Sequence, residues 1–392
     1  MRITMTGESV GTLDAKDSYF KAAQSLGLFR IGRYLQQSSQ SLLILCYHGI
    51  SKADEHLWRP TLYMPRSLFR QRLQTLHDFG YQVLPLSAAL EFLSTGSLRQ
   101  PTAVLTFDDG WHDFYTEAWP ELRAFGYPAT VYQTTYYSLY QRPIFDTACS
   151  YLLWKARGRT LKDSSITGAE EEFALNSPHS IERVANLIWN RQNRLSASAE
   201  EKNYLLEKIA VRLDIDWGHI LRSRLLHLMT MPEVAEISKG GIDVQLHTHR
   251  HWLPTKRESF LSEVFSNQDL IKAATGKRAT HFCYPNGFYR PEAPTWLREA
   301  GILSATTCEP GLVRRRSERM LLSRAVDSCA VSPARFESWL SGIGLLIPSC
   351  KRKVLSFAGR YKAINEEACH GAVQEQPGEV AKAAVARAAA GS

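Results

Sequence analysis

Short apolar runs alternate along this chain with segments whose apolar residues recur at helical spacing. Leu42 to Tyr47, Ala103 to Leu105, Ala129 to Tyr132, Ile242 to Leu246, His281 to Tyr284 and Gly301 to Thr307 read as buried strands. Between them, Leu68, Phe69, Leu73 and Leu76 predict an amphipathic helix over 65–80 that stops at Gly80. Further helices are expected from Ser87 to Leu93, through Trp119-Pro120-Glu121-Leu122, over 257–275 and from Pro291 to Ala300. Strand–helix alternation of this kind means parallel β/α units, and functional residues then gather at the carboxyl ends of the strands.

The alternation breaks between 137 and 240, where 145–157 and 180–235 carry helical periodicity around a polar stretch at 158–180. This is far more chain than one β/α repeat needs. It reads as a helical insertion, acting either as a lid or substrate wall, or as a packing module with no catalytic part. The expected organisation is an N-terminal helix and linker (1–40), a first barrel part (41–136), the insertion (137–240), a second barrel part (241–345) and a basic, then Ala-rich tail (346–392). The tail is expected to be poorly ordered, and 335–357 to form either a packed terminal helix or a surface-seeking one.

Two of the strands end in unusual chemistry. The run Ala103-Val104-Leu105 closes on Thr106-Phe107-Asp108-Asp109-Gly110. Adjacent carboxylates raise each other's pKa unless a cation or a donor separates their roles, although an isolated Asp-Gly is also an ordinary turn. The strand ending at Leu246 runs into His247-Thr248-His249-Arg250-His251, where two histidines four apart can share a face of a helix or a strand. Two imidazoles and one carboxylate suit Zn²⁺ with one position left open. The second aspartate would then stay free as a base. Spacing alone does not say which aspartate is which.

These motifs resemble those of the polysaccharide deacetylases (NodB homology domain, carbohydrate esterase family 4). The first family motif, T-F-D-D-G, stands unchanged at 106–110, and the second, H-[ST]-x-x-H, stands at 247–251. Phe282-Cys283-Tyr284-Pro285-Asn286-Gly287 is similar to the family's third, looser motif. The resemblance covers roughly 40–135 and 240–330. It implies an α/β fold, a distorted (β/α)7-type barrel, interrupted here by the insertion between the first and second motifs.

It also implies roles. Asp109, His247 and His251 would hold a divalent metal, first of all Zn²⁺, with Co²⁺, Ni²⁺ or Mn²⁺ as alternatives. Asp108 would be the general base, and a backbone amide at Asn286 the oxyanion donor; a plain turn at Asn286-Gly287 is the rival reading. Tyr284, Pro285 and Arg324 are the candidate substrate contacts. The family often carries an arginine in the third motif, where Cys283 stands here, and Arg324 is a candidate to supply that charge from another strand. No late L-x-x-H follows, but Leu45-Cys46-Tyr47-His48 has that pattern at the first strand. A circularly permuted barrel would return His48 to the general acid's place. Trp111, His112 and Tyr289 flank the motifs and suit either packing or sugar stacking.

The leading expectation is a metal-dependent N-deacetylase acting on N-acetylhexosamine in a glycan or lipid-linked saccharide. The rivals are an amide hydrolase of the same fold with a non-acetyl or non-sugar substrate, and a silent carbohydrate-binding relative. The 44% hydrophobic and 22% charged content exclude global disorder in a chain of 392 residues. A net charge of +8 favours an anionic partner, a glycan or a peripheral membrane contact before nucleic acid, for which no motif is present. Seven scattered cysteines without C-x-x-C argue for reduced thiols, and the absence of a signal-peptide pattern or an apolar span argues for a cytoplasmic chain.

Overall fold

The structure, a computed structural model, describes residues 10–37 and 40–345. Nine strands form the main sheet: β1 (Ser41–Tyr47), β2 (Gln82–Val83), β3 (Thr102–Phe107), β4 (Thr130–Gln133), β5 (Asp243–Leu246), β6 (His281–Cys283), β7 (Ser304–Thr306), β8 (Val313–Arg314) and β9 (Ala325–Val326). The order is β7-β6-β5-β4-β3-β1-β8, with β9 also paired to β1 and β2 to β3. Every pairing is parallel except β1 with β8. The expected distorted β/α barrel is therefore present, curled around β1 and β3.

These two strands are central because both of their faces are apolar, and all their residues are buried. In register, Cys46 lies opposite Thr106 and Tyr47 opposite Phe107. Strand parity then divides the side chains. Leu43, Leu45, Tyr47, Ala103, Leu105 and Phe107 pack outward against the helices, with Tyr47 and Phe107 stacked at 5.2 Å. Leu42, Ile44 and Val104 face the barrel interior together with Tyr132 and Cys283. The next positions on that interior face are Cys46 and Thr106, then His48 and Asp108.

Helices Arg66–Asp78, Leu86–Thr95 and Arg257–Thr275 lie where apolar spacing predicts them. A π-turn over Phe114–Ala118 leads into the helix Trp119–Phe125. The barrel continues past Arg324 through β9 to a helix at Pro333–Leu340. That helix buries Phe336, Trp339 and Leu340, so its described part is a packed terminal helix; residues beyond 345 lie outside the described ones. The N-terminal segment holds two helices, Val10–Ser25 and Leu28–Gln37, and Gln24 Nε2 donates to Glu337 of the terminal helix at 2.6 Å.

The contacts divide the described chain into two compact units, one of residues 139–228 and one of the remainder. The smaller unit is helical, with helices Phe145–Lys155, Pro178–Arg194, Ala199–Arg212 and Trp217–Arg222 and a small hairpin of Thr160–Leu161 with Phe173–Ala174. Its longer helices open on capping boxes: Ser177 and Ser180 cap each other at one, Ser198 and Glu201 at the next. The helical periodicity expected over 180–235 is carried by several helices, each begun by its own cap. The last segment, Met231–Lys239, belongs to the barrel unit.

Candidate metal and acid–base site

The carboxyl ends of β1, β3, β5 and β6 bring the predicted residues together. Asp109 Oδ1 lies 3.3 Å from His247 Nε2 and 3.2 Å from His251 Nε2. His247 and Asp109 are buried. The Nδ1 of His247 lies 2.9 Å from the Cys283 carbonyl, which can only accept, so the ring proton sits on Nδ1 and the Nε2 lone pair faces Asp109. Trp111 Nε1 donates to Asp109 Oδ2 at 2.9 Å, while Oδ1 is buried with no hydrogen-bond donor. Lone pairs thus converge on one point.

A cation satisfies this arrangement. Ligand atoms about 2.0–2.1 Å from a tetrahedral zinc ion lie about 3.3 Å apart, which is the spacing of Asp109 Oδ1 from each imidazole. The field agrees. Burial pushes the Asp109 carboxyl up, but the His251 and His247 imidazoles hold it well below the usual carboxylate range. Burial lowers His251 despite the carboxylate beside it, which leaves that imidazole neutral and able to ligate. Cys46 with His48 and Asp108, and Asp108 with His247 and Cys283, are two further clusters with metal-binding atoms. Arg324 occupies both, and its guanidinium opposes a second cation there.

The two histidines do not share a face of a helix or strand. β5 ends at Leu246, and the segment after it turns through left-handed backbone at Thr248 (φ 63°) and His251 (φ 56°). Asp109 (φ 70°) and Asn286 (φ 58°) are left-handed as well. Positive φ is costly for side chains with a Cβ, most of all for β-branched Thr248. Strain is therefore concentrated at all three motifs. Gly110 adjoins Asp109 at φ +82°, and a Cβ there would lie 2.1 Å from Gln133 Oε1, so the glycine is needed for both conformation and space.

The turn is held from the helix behind it. Asn267 Oδ1 accepts from the His247 amide at 2.9 Å, and its Nδ2 donates to the Gln133 carbonyl and to Thr135 Oγ1. Glu263, one turn earlier, accepts from the Arg250 amide and the Arg250 guanidinium, both at 2.7 Å. Both residues are buried. Neither figures among the residues named from the sequence. The available signal was a pair of polar residues at i, i+4 within the apolar stripe of Phe260, Val264 and Ile271.

Asp108 lies beside the three ligand atoms and makes a different set of contacts. Arg324 Nη1 and Nη2 donate to its Oδ1 and Oδ2, each at 2.7 Å, and neither side chain is exposed beyond 3%. Burial raises the Asp108 carboxyl, but the guanidinium more than cancels this and holds it well below the usual range. Arg324 also donates to the Thr307 carbonyl and to Thr106 Oγ1, and stands over the Tyr132 ring. His48 Nε2 lies 3.9 Å from Asp108 Oδ2, with 14% of its side chain exposed.

The three residues named as substrate contacts are all buried. Arg324 is fully buried under Asp108, so it can orient the carboxylate but has no surface to offer a sugar. Tyr284 follows the parity of Phe282 onto the outer face of β6, where its ring meets Phe282 at 5.3 Å and Tyr289 at 5.3 Å. Pro285 is buried at the start of the turn Pro285–Gly287. Asn286, the next residue, has an exposed side chain.

A polysaccharide deacetylase family model matches residues 218–305, which contain the second and third motifs. The putative polysaccharide deacetylase YxkH of Bacillus subtilis is 36% identical over 92 residues, 23% of this chain and 31% of that protein. The poly-beta-1,6-N-acetyl-D-glucosamine N-deacetylase of Escherichia coli K12 is 39% identical over 86 residues, 22% of this chain and 12% of that one. The chain thus spans less than a third of the length of either curated relative. Among solved structures, the Streptococcus pyogenes deacetylase PplD in complex with acetate superposes with a TM-score of 0.50 at 18% identity, covering 77% of this chain and 98% of that one. This last likeness establishes the fold. The family model and the curated relatives agree, so over the matched segment the chain is similar to polysaccharide deacetylases.

Proposed function

We propose that the protein is a metal-dependent hydrolase that removes N-acetyl groups from N-acetylhexosamine units of a polysaccharide or a saccharide precursor. The observation that carries this reading is the division of labour between two adjacent aspartates. Asp109 completes a three-atom cation site with His247 and His251, while Asp108 is withheld from it by Arg324. A binding module has no use for a buried, oriented carboxylate beside three ligands.

Zn²⁺ is the ion this donor set suits best, and Co²⁺, Ni²⁺ and Mn²⁺ are alternatives. When bound, the ion supplies Lewis acidity toward the acetamide carbonyl and the attacking water. Asp108, ionised across the working range because of Arg324, accepts the water's proton. The guanidinium spans both carboxylate oxygens and so fixes the plane of that base. The backbone amide at Asn286, on the turn after β6, is the candidate donor to the developing oxyanion.

His48 is the candidate proton donor to the leaving amine. It ends β1, which lies beside β3 in parallel register, so acid and base face the same space from neighbouring strands. This fits a barrel whose last strand stands first in the chain, a circular permutation. The substrate reading draws support from the named activity of the Escherichia coli relative, a deacetylase of poly-beta-1,6-N-acetyl-D-glucosamine. A lipid-linked saccharide and a peripheral membrane contact suit the positive charge of the chain. Among the described residues, no helix is long and apolar enough to cross a membrane.

The test is acetate release from β-1,6-linked and β-1,4-linked N-acetylglucosamine oligomers, with N-formyl and N-propionyl analogues in parallel. Metal-dependent release of acetate from a sugar establishes the reading. Turnover of other amides with no sugar cleaved would replace it with an amide hydrolase of a different substrate class.

A further inference from the structure

Of the side chains flanking the motifs that suit sugar stacking, Trp111, His112 and Tyr289 are committed to the fold. Trp111 is 3% exposed and donates to Asp109. His112 is buried between Lys52 Nζ at 3.4 Å and Glu233 Oε1 at 3.5 Å. The Tyr289 ring packs on Tyr284 at 5.3 Å and against the core. Phe288, the residue before it, is 40% exposed. A single exposed aromatic needs no explanation by itself. The place of this one and its support do.

The turn Pro285–Gly287 that carries Phe288 is pinned from both sides. The Gly287 amide donates to the Tyr284 carbonyl at 2.8 Å, and the Phe288 amide to the Pro285 carbonyl at 3.3 Å. Gly287 has φ +71°, and a Cβ there would lie 2.7 Å from Cys308 Cβ, so the turn sits directly on the segment after β7. Cys308 Sγ lies in turn 3.7 Å from Arg324 Nη2, the group that holds Asp108. Phe288 therefore stands at the edge of the site, two residues past the candidate oxyanion amide of Asn286. Phe92 and Phe265 are as exposed, at 40% and 42%, but lie within the helices Leu86–Thr95 and Arg257–Thr275, not on a loop after a strand's carboxyl end.

We propose that Phe288 is the platform on which the sugar next to the reacting N-acetylhexosamine stacks, so that the site prefers a unit within a chain to a free monosaccharide. A pyranose ring carries C–H groups on its faces and hydroxyls around its edge. One face buries against an aromatic ring while the edge keeps its water. A sugar chain whose acetamide reaches the Asn286 amide has its next unit within reach of a ring two residues on. The pinned turn holds that ring in place before the sugar arrives, which lowers the entropy lost on binding. The assignment of the reacting unit rests on the deacetylase reading. The stacking of a saccharide on Phe288 does not.

The test compares Phe288→Ala and Phe288→Trp with the full wild-type chain, and takes Phe92→Ala and Phe265→Ala as references for an exposed ring lost elsewhere. Calorimetry measures binding of N-acetylglucosamine and of its β-1,6-linked tetramer, and acetate release from both is followed in parallel. In Phe288→Ala the tetramer should bind about threefold to tenfold more weakly, with KM raised to match. The monosaccharide should lose much less, Phe288→Trp should restore the tetramer, and neither reference should reproduce the loss. Unchanged tetramer affinity in Phe288→Ala overturns the platform, as does an equal loss for monosaccharide and tetramer, a loss no larger than in the references, or failure of Phe288→Trp to restore binding. A chain that binds the tetramer through Phe288 but cleaves no sugar speaks against the deacetylase reading alone.

Discussion

Arg324 donates to both carboxylate oxygens of Asp108, 2.7 Å each, with both side chains buried and 216 residues apart in the chain. The pair gives two neighbouring aspartates different surroundings. One carboxylate is neutralised by a guanidinium and the other faces two imidazoles. Replacing Arg324 with Met should leave Asp108 buried without a counter-charge. Its pKa should then rise, because burial is no longer opposed, and the acid limb of the pH–rate profile should move to higher pH. We expect kcat/KM to fall by about 100-fold or more and stability by about 3–5 kcal/mol, read from pH-dependent acetate release and urea unfolding.

His48 faces Asp108 from the next strand, on a side chain that is only partly exposed. As the proposed proton donor to the leaving amine it would act on the transition state more than on binding. His48→Ala should lower kcat by about 100-fold to 10,000-fold with KM little changed. An equal rise in KM instead would assign His48 to substrate binding.

Asn267 fixes the His247 amide, and Glu263 fixes the Arg250 amide, so both act on the proposed ligands through the backbone. Asn267→Leu should weaken metal binding by about 10–100-fold while the donor set is unchanged. Competition with a chelator of known affinity measures this directly. Unaltered affinity would mean that the left-handed turn holds His247 and His251 by itself.

Asp327, beside Arg72 at 3.1 Å, titrates in the opposite sense from Asp108. Burial raises its carboxyl to about 6 despite the arginine. Between pH 4 and pH 6 the folded chain keeps a proton there that the unfolded chain has released. Stability contributed by this group is therefore complete below about pH 4 and lost as pH rises through 6, by about 3 kcal/mol. Denaturant unfolding across that window should show the slope in the wild type and a flatter one in Asp327→Asn.

Much of the site was legible because strand parity is a rigid rule. Once β1 and β3 are read as parallel neighbours, Cys46, His48, Thr106 and Asp108 must share one face. The same rule puts Tyr284 on the far side, with Phe282. The ligand turn was misread for another reason. A four-residue spacing suggests a shared helix or strand face, yet here two left-handed residues bring the imidazoles together. Local propensity argues against that backbone, and long-range bonds sustain it, those from Asn267 and Glu263 among them. Arg324 was harder still, since its partner is set by the closure of the barrel and not by any local pattern.

The central claim is that Asp109 holds the ion while Asp108 remains free to take a proton. Metal content and acetate release, measured together on Asp108→Asn, test it most directly, with Asp109→Asn as the counterpart. The account predicts that Asp108→Asn retains one equivalent of metal and loses turnover, while Asp109→Asn loses both. An Asp108→Asn chain that no longer binds metal, or one that still releases acetate at the wild-type rate, would contradict it.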